Sequence, residues 1–411
     1  MQRVSIPWAA WYENSTLEIA FPDDWNVEKA EMGDAPEATD DELRKAFAHP
    51  IDSPTIAELA RGKKTVAIAV DDMTRPTEGY RLMPFVLEEL EQAGIERENI
   101  VVIMALGSHR ALTRQDLVKK FGEQIVRNYR IHNHCPFDNL VDVGNSKYGT
   151  PIRVNRFFME ADLKIAVGFI VPHPQAGWGG GGKIIIPGVC AIETLASFHG
   201  PRFKNPACRA TVIEGNELRE DIDDVAQHVG LDIIVNAVGN SKAKTSKLFV
   251  GDILKAHRAG VRQAQEVYVT PVPKDIDVAV FNAYPEDQEF LQCIKALNIW
   301  SDPDREVVKK GGTIVVTTAA SEGNGCHYLG DFGMTLFRKA EERPNVAKIM
   351  AGRNLVFFSP NCQGFEVRGR FPEGTELYTD WNELIENVAK RHGKGTHAVV
   401  FPTGSLQFAK K

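Results

Sequence analysis

The chain has 411 residues, which is too long for one ordinary hydrophobic core, so two domains are expected. Its hydrophobic content of 43% and its charged content of 25% are typical of a globular protein in water. A net charge of −7 argues against a nucleic-acid surface, and the lack of a signal peptide or a long apolar run predicts a cytoplasmic protein without membrane contact.

Apolar strands alternate with amphipathic helices along most of the chain. In the first part, strands are predicted at Lys64–Val70, Ile100–Leu106, Leu163–Val171 and Leu231–Val238, and helices at Leu82–Ala93, Arg114–Phe121, Val189–His199 and Asp252–Val267. After a proline-containing linker near Thr270–Pro273, strands are predicted at Ile276–Phe281, Thr313–Thr318, Leu355–Phe358 and Ala398–Phe401, and helices at Gln288–Ala296, Gly333–Ala340 and Trp381–Ala389.

This alternation is typical of an α/β protein whose mainly parallel sheets are flanked by helices. We expect a cofactor-binding and catalytic domain at 1–268, a Rossmann-like domain at 274–402 and a tail at 403–411. The active site is expected in the cleft between the two domains.

The segment Val171–Gly188 is the most informative part of the sequence. It joins His173 to Lys183 through a glycine-rich loop that follows a predicted strand. Consecutive glycines let the backbone approach a ligand closely, and their N–H groups can bind an anion. The spacing before Lys183 fits a phosphate-binding P-loop, but Ile184 stands where a P-loop has Ser or Thr. A kinase-like interpretation is therefore weakened.

Two more polar clusters directly follow predicted strands. The segment 71–76 contains Asp72 and Arg75, and an arginine can bind a carboxylate or phosphate through two parallel hydrogen bonds. The segment 107–110 contains His109, a candidate general base. Taken alone, the first cluster is better explained as an ordinary strand-to-helix turn, and His109 as a histidine of a surface loop. Because ligands of open α/β sheets bind at the carboxyl ends of strands, the combination favours a site.

Other polar residues allow both a structural and a functional interpretation. His199 falls on the inward face of its predicted helix, where it could ligate a metal or bond the last carbonyl groups of that helix. Gln292 and Lys295 are three residues apart, so they share a helix face. That face could bind a small anion or simply contact solvent.

The six cysteines are scattered and form no C-x-x-C pair, as expected for reduced thiols. The cluster His132, His134 and Cys135 lacks a second pair of ligands at zinc spacing. The sequence therefore favours a polar loop for this cluster.

Together these motifs resemble the lactate racemase family, the nickel-pincer-nucleotide racemases and epimerases of hydroxy acids. The resemblance runs through most of the chain. It is densest in the segments 71–76, 107–110, 172–183, 187–194 and 292–295, with His199 sixteen positions after Lys183.

The resemblance implies a role for each candidate residue. Lys183 would covalently carry pyridinium-3,5-bisthiocarboxylic acid mononucleotide, the nickel-pincer nucleotide, and His199 would be the protein ligand of nickel. His109 and His173 would be the catalytic acid/base pair. The substrate carboxylate would be bound by Arg75, Gln292 and Lys295. The residues that would position the cofactor or orient a histidine are Asp72, Thr74, Gly179, Gly180, Gly181 and Gly182.

The implied reaction is racemisation or epimerisation of a 2-hydroxy acid by proton-coupled hydride transfer through a 2-keto acid. The implied partners are separate proteins that build the cofactor and insert nickel. Two alternatives are an NAD-dependent 2-hydroxyacid dehydrogenase and a non-catalytic nickel- or cofactor-binding relative. The first lacks support because no G-x-G-x-x-G follows the first clear strand, and the second does not explain the presence of both histidines. The identity of the hydroxy acid and the oligomeric state are left open.

Overall fold

The computed structural model describes residues 1–199, 205–300, 305–331, 344–368 and 371–409. In chain order, the strands are β1 (Gln2–Trp8), β2 (Ser15–Phe21), β3 (Asn26–Lys29), β4 (Val66–Asp71), β5 (Ile100–Ala105), β6 (Arg130–Asn133), β7 (Leu140–Asn145), β8 (Pro151–Asn155), β9 (Leu163–Phe169), β10 (Pro172–His173), β11 (Gly177–Trp178), β12 (Ile233–Gly239), β13 (Thr245–Gly251), β14 (Val269–Thr270), β15 (Ile276–Asn282), β16 (Val308–Thr317), β17 (Asn354–Phe358), β18 (Glu376–Tyr378), β19 (His397–Phe401) and β20 (Phe408–Ala409).

The α-helices are α1 (Asp40–Ala48), α2 (Ile56–Ala60), α3 (Gly79–Gln92), α4 (Arg114–Phe121), α5 (Glu123–Asn128), α6 (Arg156–Glu160), α7 (Ile192–His199), α8 (Glu217–His228), α9 (Lys255–Tyr268), α10 (Tyr328–Asp331), α11 (Pro344–Met350), α12 (Gly364–Arg368) and α13 (Trp381–His392). Further 3₁₀-helical segments cover Arg97–Asn99, Gly181–Ile184 and Phe290–Trp300. The predicted helix Gln288–Ala296 is thus a 3₁₀ segment, and the predicted helix Gly333–Ala340 lies outside the described residues.

The chain divides into two compact units. The central unit is Ala35–Glu266, and the terminal unit combines Met1–Asp34 with Val267–Lys411. The division near residue 266 lies beside the predicted linker, but the first 34 residues join the C-terminal part instead of the predicted N-terminal domain. They do so because β3, a strand of only four residues, pairs with β19.

The central unit contains a six-stranded sheet of order β13-β12-β9-β4-β5-β6. All neighbouring strands are parallel except β12 and β13. Asp71 at the end of β4 lies opposite Ala105 of β5, and Val70 lies opposite Val167 of β9. The carboxyl ends of these three strands therefore lie side by side, which places the residues that follow them at one edge of the sheet.

The terminal unit contains a fully parallel sheet of order β18-β17-β16-β15-β19-β3. Along β15, Val278 and Val280 belong to one hydrophobic cluster, while Ala279 and Phe281 belong to another. Alternate residues of a strand point to opposite faces, so both faces of this sheet are covered. The prediction of an α/β protein with mainly parallel sheets flanked by helices is confirmed. Among the residues described, no helix has both the length and the apolar character needed to cross a membrane.

Candidate active site

The turn after β4 is anchored by the buried carboxylate of Asp71. One of its oxygens accepts hydrogen bonds from Thr77 Oγ1 at 2.6 Å and from the backbone N–H of Phe169 at 3.0 Å. The other lies 3.0 Å from the ammonium nitrogen of Lys120 on α4. Burial raises the pKa of Asp71, and the charge of Lys120 opposes that rise. Asp71 therefore ties the end of β4 to β9 and to α4.

Lys120 also fixes the backbone of the turn itself. Its ammonium group, which is fully buried, donates to the carbonyl oxygens of Asp72 at 2.8 Å and of Arg75 at 3.2 Å. Sequence reasoning missed this residue because a lysine in the last turn of a helix normally reaches solvent. The only available signal was its spacing of four from Asp116, which places both on the buried side of α4.

Asp72 binds His109 across this edge of the sheet. Oδ2 of Asp72 lies 2.6 Å from Nδ1 of His109, while Oδ1 accepts from the backbone N–H of Thr74 at 2.9 Å and from its hydroxyl at 2.5 Å. Burial alone would raise the pKa of Asp72, but His109, Arg75 and Thr74 outweigh it and hold the pKa below its ordinary value. The carboxylate is therefore ionised, and it accepts the Nδ1 proton of His109.

The turn that carries His109 is fixed to the segment after Lys183. Gly107 has a left-handed φ of 57°, and its N–H donates to the carbonyl oxygen of Gly188 at 2.9 Å. The N–H of His109 donates to the carbonyl oxygen of Leu106 at 2.9 Å. The cluster 107–110, which follows β5, is therefore in contact with the end of the segment Val171–Gly188.

In His173 the roles of the two ring nitrogens are the reverse of those in His109. Its Nδ1 accepts hydrogen bonds from the backbone N–H groups of Gln175 at 3.3 Å and Ala176 at 3.1 Å. A ring nitrogen that accepts carries no proton, so the proton of a neutral His173 is on Nε2. His109, by contrast, carries its proton on Nδ1, so the lone pair of its neutral ring is on Nε2.

The four consecutive glycines pack against the protein itself. Gly181 has a φ of 58°, and a Cβ atom there would lie 2.9 Å from the ring of the buried His257. A Cβ atom at Gly182 would lie 2.7 Å from the Cβ of Ala226 on α8. Side chains are therefore excluded at these positions by neighbouring helices.

The N–H groups of the loop are also partly engaged within the protein. Gly179 donates to the carbonyl oxygen of Val171 at 2.7 Å, and Gly181 donates to Oδ1 of Asn236 at 2.7 Å. Two of the four glycine N–H groups therefore already have an acceptor within the protein. Lys183 follows in the 3₁₀ segment Gly181–Ile184 and is partly buried.

Gln292 and Lys295 lie in the terminal unit, on the 3₁₀ segment Phe290–Trp300. Residues three apart align in a 3₁₀ helix, so the expected common face is retained. Both side chains are buried and face carboxylates: Gln292 Nε2 lies 3.0 Å from Glu289 Oε1, and Lys295 Nζ lies 3.2 Å from Glu286 Oε1.

Comparison with known proteins gives the family. Residues 12–211 match the model of the lactate racemase N-terminal domain. The lactate racemase of Thermoanaerobacterium thermosaccharolyticum is 31% identical over 333 residues, which are 79% of this chain and 76% of that protein. The lactate racemase of Lactiplantibacillus plantarum is 32% identical over 384 residues, 88% of this chain and 89% of that protein. The chain belongs to the lactate racemase family.

Solved structures agree on the fold. The lactate racemase apoprotein of T. thermosaccharolyticum superposes with a TM-score of 0.79 at 24% identity, over the full length of both chains. A protein of Thermotoga maritima superposes with a TM-score of 0.67 at 18% identity, over 92% of this chain and all of that one. The predictions of the family and of an isomerase of the racemase type are confirmed.

The candidate metal ligand of this family member, His199, is the last residue of α7, and its side chain lies outside the described residues. Among the side chains that are described, no three His, Cys, Asp or Glu residues gather as a metal site would require. The assignment of His199 therefore stays a prediction.

The cluster at 132–135 has a structural role at His134. Its Nε2 lies 2.9 Å from the carbonyl oxygen of Cys190, and its Nδ1 accepts from Nδ2 of Asn155 at 3.2 Å. Burial lowers the pKa of His134 to about 4, so the ring is neutral near pH 7. His134 thus ties the end of β6 to the segment before α7.

Proposed function

We propose that this enzyme racemises or epimerises a 2-hydroxy acid through a 2-keto acid, with the nickel-pincer nucleotide tethered to Lys183. Lactate is the first substrate to test, because both curated relatives are lactate racemases. The observation that carries the proposal is the pair formed by His109 and Asp72, on the same sheet edge as the strand that leads into His173 and Lys183.

The residues around the loop fit such a group. Lys183 offers a primary amine for the covalent tether. Beside Gly180 and Gly181, the buried Nδ2 of Asn236 has no hydrogen-bond partner among the described residues, so it could donate to a ligand oxygen. When bound, the nucleotide and its nickel would supply the hydride acceptor that protein side chains cannot provide.

The two histidines would then handle the hydroxyl group. Oxidation of the 2-hydroxy acid releases the hydroxyl proton, and the lone pair on Nε2 of His109 can accept it. Asp72 would stabilise the resulting imidazolium, as a carboxylate does for the histidine of a catalytic triad. His173 can donate a hydrogen bond from Nε2 to the substrate oxygen. Two histidines are required because the hydroxyl group takes a different position in each enantiomer.

The substrate carboxylate would be bound by Arg75, Gln292 and Lys295. Arg75 lies beside the pair of Asp72 and His109, and its guanidinium group donates to the carbonyl oxygen of Thr74 at 2.9 Å and to its hydroxyl at 3.0 Å. Gln292 and Lys295 already face the carboxylates of Glu289 and Glu286. Their N–H groups are donors from which a carboxylate can accept hydrogen bonds, and Lys295 would add a positive charge.

The deciding experiment uses protein produced together with cofactor-building and nickel-inserting proteins. Intact mass and nickel content are measured first, and racemisation of each lactate enantiomer is followed by chiral chromatography. We expect a covalent adduct at Lys183, about one nickel per chain as for single-site ligation, and interconversion of the enantiomers. A panel of larger and sugar-derived 2-hydroxy acids then defines the substrate class.

Lys183→Arg is the matched control, since it keeps the positive charge but cannot form the same covalent link. It should lose the adduct and the activity together. Racemisation by the Lys183→Arg variant at the parental rate would contradict the tether. An unmodified mass with no nickel and no activity would instead favour a reversible anion site.

A further inference from the structure

The carbonyl groups of the glycine-rich loop face a row of buried donors on α8. The fully buried guanidinium group of Arg219 donates through Nε to the carbonyl oxygen of Ala176 at 3.2 Å, and through a second nitrogen to that of Trp178. Asn216, the N-cap of α8, donates to the carbonyl oxygen of Gln175 at 2.9 Å. The first turn of α8 therefore holds three carbonyl groups between His173 and the glycines.

A second helix holds the next carbonyl group. On α9, Nε2 of the fully buried His257 lies 2.8 Å from the carbonyl oxygen of Gly179. Nδ1 of His257 accepts from Arg258 at 2.7 Å, so the proton of its ring is on Nε2 and is donated to Gly179. Arg258 in turn pairs with Asp223, which also lies 3.6 Å from Arg219. One connected network thus reaches the loop from both helices.

This network holds a segment whose only regular pairing is the short one between β10 and β11. Glycines lose more backbone entropy on ordering than other residues, so a run of four needs external contacts to be held in place. Buried carbonyl groups also require donors, and here side chains supply them. The donors contact the loop from the side of α8 and α9.

We propose that Arg219 and His257 are positioning residues, which hold the loop by its carbonyl groups and thereby fix His173 and Lys183 at its two ends. The catalytic consequence rests on the proposed function, whereas the effect on the loop does not. Burial keeps His257 neutral by lowering its pKa well below the ordinary value, as Nδ1 requires in order to accept the hydrogen bond from Arg258.

The test compares His257→Leu, which removes the donor at similar size, with His257→Gln, which can still donate to Gly179. Hydrogen–deuterium exchange is followed by mass spectrometry on peptides that cover 174–186 and on peptides that cover β4. The unloaded protein is used, so the result is independent of any reaction. We expect His257→Leu to raise exchange in 174–186 about tenfold, as for one lost buried hydrogen bond, and to leave β4 unchanged. His257→Gln should restore most of the protection.

Unchanged exchange in 174–186 would overturn the proposal, and so would an equal rise in β4 or a failure of His257→Gln to restore protection. On loaded enzyme, His257→Leu should lower kcat about tenfold with little change in KM. Arg219→Met, which removes three contacts at once, should show the larger effect on the same peptides. If the parent enzyme itself lacks racemase activity, the proposed function fails while the exchange result still decides the role of His257.

Discussion

Nδ1 of His109 lies 2.6 Å from Oδ2 of Asp72, and the other oxygen of Asp72 is fixed by the N–H and the hydroxyl of Thr74. Because both Thr74 groups donate to one carboxylate oxygen, they fix the plane of the carboxylate, and the other oxygen is directed at His109. Thr74, in the turn after β4, therefore orients the carboxylate of Asp72, and this carboxylate keeps the proton of His109 on Nδ1.

Asp72→Asn should place the proton of His109 on the wrong nitrogen. The amide oxygen of the variant would keep the two Thr74 donors, which directs the amide nitrogen at Nδ1 of His109. Nδ1 must then accept, and the proton moves to Nε2, where the lone pair is needed. We expect kcat to fall about a thousandfold or more, by analogy with the triad aspartate. Initial rates of lactate racemisation measure the effect.

Asp162→Asn is the control for this change. Asp162 accepts from the N–H groups of Lys64 and Thr65 at the opposite end of β4, and an asparagine can still do so. It should keep kcat within about threefold, as for a substitution away from the site. Equal activity of Asp72→Asn and Asp162→Asn would remove Asp72 from the mechanism.

The two histidines should be opposite tautomers when neutral. Nitrogen-15 chemical shifts distinguish the protonated ring nitrogen from the unprotonated one, and His109→Gln and His173→Gln assign the signals by their loss. We expect a protonated Nδ1 in His109 and a protonated Nε2 in His173. Finding the proton on the same nitrogen in both rings would contradict the geometry around one of them.

Sequence patterns predicted the strands that carry this site because these strands are continuous apolar runs. The bounds of β4, β5 and β9 differ from the predicted ones by one or two residues. Periodicity also placed Asp72 and His109 just beyond neighbouring strand ends, since parallel strands present their carboxyl ends at one edge.

Contacts between residues far apart in the chain could not be predicted from such local patterns. The spacing from Asp116 was the one local signal for the burial of Lys120, because the carboxylate that pairs with it, Asp71, is 49 residues away in sequence. His257 likewise meets Gly179 across 78 residues. The sequence predicted that the four glycines let the backbone approach a ligand closely. It could not reveal that residues of α8 and α9 also exclude side chains at these positions.

His134 should make the protein less stable toward acid. Its pKa is about 4 in the folded state and 6.5 when unperturbed, so between these values the unfolded chain binds a proton that the folded one excludes. Stability is therefore lost as pH falls from 6.5 to 4, by about 3 kcal/mol over the whole window. His134→Gln removes this dependence. Urea denaturation at several pH values should show the two proteins converging toward pH 4, and parallel curves would contradict the assignment.

The buried pair of Lys120 and Asp71 should show strong energetic coupling. Lys120→Met leaves the carboxylate of Asp71 buried without its cation and should cost about 3–5 kcal/mol of unfolding free energy. Adding Asp71→Asn removes the uncompensated charge while keeping an acceptor for Phe169, so the double variant should regain part of the loss. Denaturant unfolding of the four proteins gives the coupling, expected at about 1–3 kcal/mol. Additive effects would show that the two charges do not depend on each other.

Gly181→Ala and Gly62→Ala separate backbone strain from crowding. Both glycines have positive φ, 58° at Gly181 and 76° at Gly62, so each alanine costs about 1–2 kcal/mol for the left-handed backbone. A Cβ atom at Gly62 has nothing within 4 Å, whereas one at Gly181 would lie 2.9 Å from the ring of His257. Gly181→Ala should therefore lose about 1–3 kcal/mol more, as overpacked sites do. Denaturant unfolding measures both variants, and an equal loss in the two would mean that the loop can move away from His257 at no cost.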